Sequence, residues 1–262
     1  MTAKPVLWEE QGHVGRIVLN RPERLNALNA AMLEELDAIV GAAGRRPREI
    51  RVVIVEGAGR AFCAGADLKE RLALTEREAI LRGVARIKSV FGALARLPQP
   101  TIAAMGGLAF GGGLELALSC DFRIAVRDVL LGLTETSLGI IPGAGGTHRL
   151  ARLIGPARAK ELILTARKIS AEQALAWGIV NGVAEDGKEL RERCLELAAE
   201  LLASAPLAVM RAKAAIDRGL EANPGAAMAI EDEAYAALIG TKDRLEALEA
   251  FRAKRPPRFT GE

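Results

Sequence analysis

Residues 104–121 constrain the local geometry of this chain more than any other stretch. An apolar run, Thr101–Met105, reads as a short buried strand that stops at Gly106-Gly107. Three consecutive glycines, Gly111 to Gly113, then open a helical stretch over residues 114–119. Glycine has no Cβ, so the chain can turn sharply there and a ligand can reach the backbone. The first N–H groups of a helix lack intrahelical partners and carry the positive end of its dipole. A glycine-lined helix start therefore suits an oxygen bearing negative charge. Glu115 falls in the first turn, and helical side chains lean toward the N-terminus, so its carboxylate can return over the same opening. Taken alone, the stretch reads first as an ordinary turn with an acid partnering the helix dipole, ahead of a binding site.

Bulk properties exclude several classes. A chain of 262 residues, 50% hydrophobic and 26% charged, can bury a sizeable core as one domain or one domain with an appendage. A net charge of +3 is too small to imply nucleic acid or an anionic membrane. No apolar run approaches spanning length, and residues 1–5 lack the hydrophobic segment of a secretory signal. Cys63, Cys120 and Cys194 are odd in number and far apart, which argues against a disulfide framework and for a cytoplasmic setting. With only His13 and His148, neither a His-rich metal site nor a Ser-His-Asp arrangement is expected.

Along the chain, residues 6–10 and 14–19 flank Gln11-Gly12-His13 as a hairpin. Met32, Leu33, Leu36, Ile39 and Val40 recur at helical spacing and predict an amphipathic helix closing near Gly41. Residues 52–55 read as a buried strand. Residues 57–69, small throughout, read as a loop whose accessible amides and Lys69 could meet an anion. A long helix follows over residues 77–97, stopped by Pro98 and Pro100. Strands are expected at residues 122–125 and 129–133. Glu135 then sits in a second glycine-rich loop that ends in a helix over residues 147–153. The alternation of strands and helices up to Val183 indicates an α/β core. Beyond Lys188 every periodic segment reads as helix. We therefore divide the chain into a core, residues 1–205, and a helical arm, residues 206–262, available to pack on another subunit.

Four stretches taken in order carry a resemblance. They are Arg21-Pro-Glu-Arg-Leu-Asn-Ala-Leu-Asn29, Phe62-Cys-Ala-Gly-Ala-Asp-Leu-Lys-Glu70, residues 106–121 and residues 135–150. In order and spacing the chain resembles the enoyl-CoA hydratase/isomerase (crotonase) superfamily over essentially its whole length. Ala214-Ala-Ile-Asp-Arg-Gly219 and Thr241-Lys-Asp-Arg-Leu-Glu246 extend the likeness to the methylglutaconyl-CoA hydratase branch. The resemblance implies an α/β spiral of ββα units with a C-terminal helical trimerisation region. It also implies homotrimers, paired into homohexamers, and acyl-CoA thioester substrates. It assigns the amides of Ala66 and Gly112 to an oxyanion hole, Glu115 and Glu135 to the catalytic pair, and Gly143 N–H to holding water. Arg24, Ala27, Ala64 and Lys69 would lie along CoA, with Tyr235 and Lys254 reaching it from a neighbouring subunit. His148 stands where relatives often carry glutamine.

Hydration of a 2-enoyl thioester needs these parts. Attack of water at C3 pushes charge onto the thioester oxygen, and fixed amides stabilise that charge most in the transition state. One carboxylate takes a proton from water while a second group protonates C2. Two nearby carboxylates do not both ionise readily, and the helix dipole at Glu115 favours its charged form, which makes Glu115 the base and Glu135 the acid. No metal and no cofactor beyond the CoA of the substrate is expected. An isomerase is the alternative within enzymes, since many of those work with one acid at this pair. RNA binding, associated in one relative with a lysine-rich helix after the Asn-Ala-Leu-Asn motif, is not expected. Here residues 30–39 hold three acids and no lysine. A simple short-chain 2-enoyl-CoA is expected ahead of a carboxylated one. No cation can be placed at the far end of the acyl pocket from sequence, and Arg77, Arg82 and Arg86 read as surface residues.

Overall fold

The computed structural model describes residues 4–262. β1 (Val6–Gln11) and β2 (Val14–Leu19) form the expected antiparallel hairpin, with Val6 opposite Leu19. A 3-10 turn, Pro22–Arg24, leads into α1 (Ala30–Gly44). The Asn29 side chain caps α1 by accepting the N–H of Met32 at 3.0 Å, the bond that makes asparagine a favoured residue at this position. The helix runs past Gly41, its expected end, because Val40 and Ala43 continue the buried stripe.

Three strand–strand–helix units follow. The first holds β3 (Val52–Gly57), β4 (Ala61–Cys63), α2 (Leu68–Leu72) and α3 (Arg77–Ala95). The second holds β5 (Thr101–Met105), β6 (Leu108–Phe110) and α4 (Gly112–Ala117). The third holds β7 (Phe122–Val126), β8 (Leu130–Gly132), α5 (Gly146–Ile154) and α6 (Pro156–Leu164). β9 (Ile169–Ser170), α7 (Ala171–Ala176) and β10 (Gly182–Ala184) complete the two sheets.

The first strand of each unit enters a six-stranded sheet ordered β1-β2-β3-β5-β7-β10. The second enters a four-stranded sheet ordered β4-β6-β8-β9. Between successive units all pairings are parallel, with Val53 beside Thr101, Ile102 beside Phe122, and Ala109 beside Leu131. This stepwise advance of both sheets is the ββα spiral that the resemblance implies. The residues alone do not announce β4 or β6. Each is three residues long, too short for an alternating pattern to show, and both lie in stretches read as glycine-rich loops.

The large sheet is covered on both faces, which is why its strands read as unbroken apolar runs. Alternate side chains divide between two clusters. Val53, Val55, Ala103, Met105 and Ala125 face the main core with Leu36 and Phe91. Val52, Ile54, Ile102, Ala104 and Ile124 face Leu190, Cys194 and Ala198 of α8 (Gly187–Leu202).

Beyond α8 come α9 (Pro206–Gly219), α10 (Pro224–Ala236) and α11 (Lys242–Ala253), and among the described residues no strand follows Ala184. α9 is moored to the core by Lys213, whose Nζ donates to Asp121 at 2.6 Å, and Asp121 also accepts the N–H and Oγ1–H of Thr101. Pro206 is the one buried residue of α9, and α10 buries none. Among the described residues no helix is long and apolar enough to cross a membrane.

Candidate active site

The loop carrying residues 21–29 is laid against residues 64–67 by backbone bonds. Leu28 N–H donates to Gly65, Ala64 N–H to Leu25, and Asp67 N–H to Leu28, at 2.8, 2.9 and 2.9 Å. Asn26, fully buried with φ of 55°, ties the loop to Ala58 and Ala61 through its side-chain amide. Asp67 closes the joint with Arg21 at 3.0 Å. These bonds gather Arg24, Ala27, Ala64, Ala66 and Lys69, widely separated in sequence, along the same joint.

Next to this rim the second unit makes its sharpest turn. Gly111 takes φ of 51° and ψ of −124°, a conformation open to glycine, and starts α4 at Gly112 rather than at Leu114 as expected. A Cβ on Gly112 would stand 3.7 Å from Ala66 N, so the two backbones meet at this point. Among the described residues no turn, loop or side-chain hydrogen bond uses the N–H of Ala66 or of Gly112. Two neighbouring uncommitted donors can serve an external oxygen.

Both glutamates reach this place from different elements. Glu115, on α4, is buried, and its Oε1 accepts the N–H groups of Ala144 at 2.7 Å and Gly146 at 2.8 Å. Glu135, in a 3-10 turn, is also buried. Its Oε1 lies 3.2 Å from where a Cβ on Gly111 would stand, and its Oε2 is buried without a partner among the described residues. An unpartnered buried carboxylate oxygen is costly, and a proton on it lowers that cost.

The electrostatics separate the two acids. Burial raises the Glu115 carboxyl above its ordinary range, opposed by the Gly146 and Ala144 amides and by the nearby Arg149 and Arg71 guanidinium groups. Burial, then the charge of Glu115, pushes Glu135 up to about 7. The rise at Glu115 is thus opposed by amides of a different loop, a cause absent from the dipole argument. Of the two acids, Glu135 is the one pushed up into the neutral range.

The structure adds residues that the sequence did not single out. Ala144 and Gly146, neighbours of Gly143, hold Glu115. Arg149 crosses to the same loop, donating to Ala144 O at 2.8 Å. Gly143 itself is partly buried against Val84. A small cleft beside Ala66 is walled by Leu28, Leu74, Ile80 and Val84, with Arg71 on its lining. Tyr235 and Lys254 stand exposed on α10 and at the end of α11, outside the rim built within one chain. His148 is exposed on α5.

The family model for enoyl-CoA hydratase/isomerase matches residues 9–262. The chain is 49% identical over 254 residues to enoyl-CoA hydratase domain-containing protein 2, mitochondrial, of Bos taurus, covering 95% of this chain and 85% of that one. It is 45% identical to the mitochondrial methylglutaconyl-CoA hydratase of Mus musculus, covering 98% of this chain and 82% of that one. Among solved structures, enoyl-CoA hydratase from Bacillus anthracis superposes with a TM-score of 0.95 at 47% identity, covering 98% of this chain and all of that one. With motif order, ββα spiral and whole-length similarity in agreement, the chain belongs to the enoyl-CoA hydratase/isomerase family.

Proposed function

We propose that the protein hydrates the 2,3 double bond of a short-chain 2-enoyl-CoA thioester. The observation that carries this reading is the meeting of two buried glutamates of unequal proton affinity with the uncommitted amides of Ala66 and Gly112. The thioester oxygen receives both N–H groups, which stabilise the enolate-like charge as it develops. Glu115, whose Oε1 accepts the Ala144 and Gly146 N–H groups, takes the proton of a water attacking C3, with Gly143 N–H helping to position that water. Glu135, whose carboxyl is pushed up to about 7, delivers its proton to C2. Proton inventory balances within the pair: one carboxylate gains what the other gives up. The reaction calls for no cofactor other than the CoA borne by the substrate.

CoA would lie over Arg24, Ala27, Ala64 and Lys69, with Tyr235 and Lys254 supplied by a neighbouring subunit. The arm's exposed apolar side chains support a trimer-based oligomer, among them Phe251 at 87% and Met228 at 60% exposure. Residues 206–262 are the proposed trimerisation region of a homotrimer or homohexamer. Buried, free Cys63, Cys120 and Cys194 suit a reducing, cytoplasmic setting.

Isomerisation of the double bond is the competing reaction, because the family includes both. It requires one acid–base group, whereas two carboxyls with divided protonation fit the two proton transfers of hydration. Initial rates on a 2-enoyl and a 3-enoyl thioester of equal length separate them. The proposal expects conversion of the 2-enoyl compound to its 3-hydroxy product. Turnover confined to the 3-enoyl compound contradicts it.

A further inference from the structure

Arg149 makes a connection that the acid pair and the oxyanion amides leave unexplained. It belongs to α5, half-buried, and burial costs its guanidinium hydration. Among the described residues it nevertheless makes no ion pair, and its one side-chain hydrogen bond goes to a backbone carbonyl, Ala144 O at 2.8 Å. That carbonyl belongs to the peptide linking Ala144 to Gly145. The peptides on either side of it supply the Ala144 and Gly146 N–H groups that donate to Glu115 Oε1 at 2.7 and 2.8 Å. Arg149 therefore pins the middle link of the three that hold the base.

The two glycines of this loop show how closely it is gripped. A Cβ on Gly145 would fall 2.3 Å from Arg149 Nη1, and one on Gly146 would fall 3.0 Å from Cγ and Oε1 of Glu115. The guanidinium thus lies on one glycine and the carboxylate on the next. We infer that Arg149 is a positioning residue for hydration, fixing the 144–146 loop so that Glu115 and the water seat at neighbouring Gly143 keep their places. It acts through Glu115 and not on the substrate. The inference rests on the hydratase reading for the role of Glu115 as base. Charges that act on Glu115 come from three elements: Arg149 on α5, Arg71 on α2 and Glu135 in the 3-10 turn. Both arginines favour its carboxylate form, and an ionised Glu135 opposes it. Arg149 is itself influenced by Glu115, Cys120 and Arg96, and the Cys120 thiol, pushed up to about 12, stays neutral.

The test compares Arg149→Met, Arg149→Gln and Arg149→Lys with the wild type, with folding checked by circular dichroism. Methionine and glutamine both remove the charge, and glutamine keeps a donor for Ala144 O, so one variant serves where the other fails to fold. Crotonyl-CoA hydration is followed across pH, and the Glu115 carboxyl is titrated by its infrared band, assigned by its loss in Glu115→Gln. The charge-removing variants are expected to lower kcat at least about tenfold with KM within about twofold of wild type. Without the cation Glu115 takes up its proton at higher pH. The acid limb of kcat/KM and the infrared midpoint should then both rise by about half a unit or more. Arg149→Lys, which keeps the charge, should return both toward wild type. A fall in kcat with limb and midpoint unmoved would make Arg149 a structural prop alone, and a loss confined to KM would make it a substrate contact. Either result overturns the inference, as does a folded charge-removing variant that behaves as wild type. Absence of crotonyl-CoA hydration by the wild type refutes the hydratase reading, while the infrared midpoint still decides whether Arg149 acts on Glu115.

Discussion

The charge of Glu115 helps to hold a proton on Glu135. The two acids come from separate ββα units, and their unequal environments, amide-bound on one side and unpartnered on the other, divide the roles of base and acid. Replacing Glu115 by glutamine removes that charge while keeping the size of the side chain. The Glu135 carboxyl should then titrate below its value of about 7, as followed by carbonyl infrared bands of the protein. An unchanged Glu135 titration in Glu115→Gln would show that the two groups do not sense each other.

The same shift has a consequence for stability. Glu135 is raised in the folded state, from 4.5 to about 7, so between these values the folded protein keeps a proton that the unfolded chain has released. Stability contributed by this group is complete below about pH 4.5 and is lost as pH rises through 7. Glu135→Gln should therefore be more stable than wild type at pH 8 by about 1–2 kcal/mol after allowing for solvent screening, and no more stable at pH 4. Thermal melts at the two pH values check both the sign and the window.

Gly112 and Gly113 should respond differently to substitution. The tightest contact of a Cβ on Gly112 is with the flexible end of Leu28 at 3.2 Å, whereas one on Gly113 would fall 2.0 Å from the carbonyl oxygen of Cys63. Gly113→Ala should destabilise the fold by about 2 kcal/mol or more, because strand and helix must part to admit it. Gly112→Ala should fold and retain part of its activity. Gly112→Pro, which lacks the N–H, should be inactive even where circular dichroism shows it folded. A folded proline variant with wild-type rates removes Gly112 from the oxyanion hole.

The helical arm should build an oligomer. α9 and α10 bury almost nothing of their own, and α11 leaves Phe251 and Leu248 in solvent within one chain. Light scattering at micromolar concentration should give a trimer or hexamer. A monomer there would remove the proposed parts of Tyr235 and Lys254 along with the interface.

Much of this was legible in the sequence because period and punctuation carry it. The apolar runs at Val52 and Thr101, the stripe from Met32 to Val40 and the proline stop after the long helix all correspond to elements of the fold. β4 and β6 were not legible, since a three-residue strand has no period and its partners lie far away in sequence. For the same reason the motif could name Gly143 but not the Ala144 and Gly146 amides, which are fixed by the fold around Glu115. Arg71 looked like any other cation in a charged segment. Its place on the cleft lining depends on how α2 is set against the loop at Leu28.

The central claim is that two glutamates share the proton traffic of hydration, and initial rates of crotonyl-CoA hydration test it most directly. The wild type, Glu115→Gln and Glu135→Gln are compared at neutral pH with folding verified for each. The account predicts conversion to the 3-hydroxy thioester by the wild type and a loss of at least about a hundredfold in kcat for each variant. Near-normal turnover by either folded variant would contradict it.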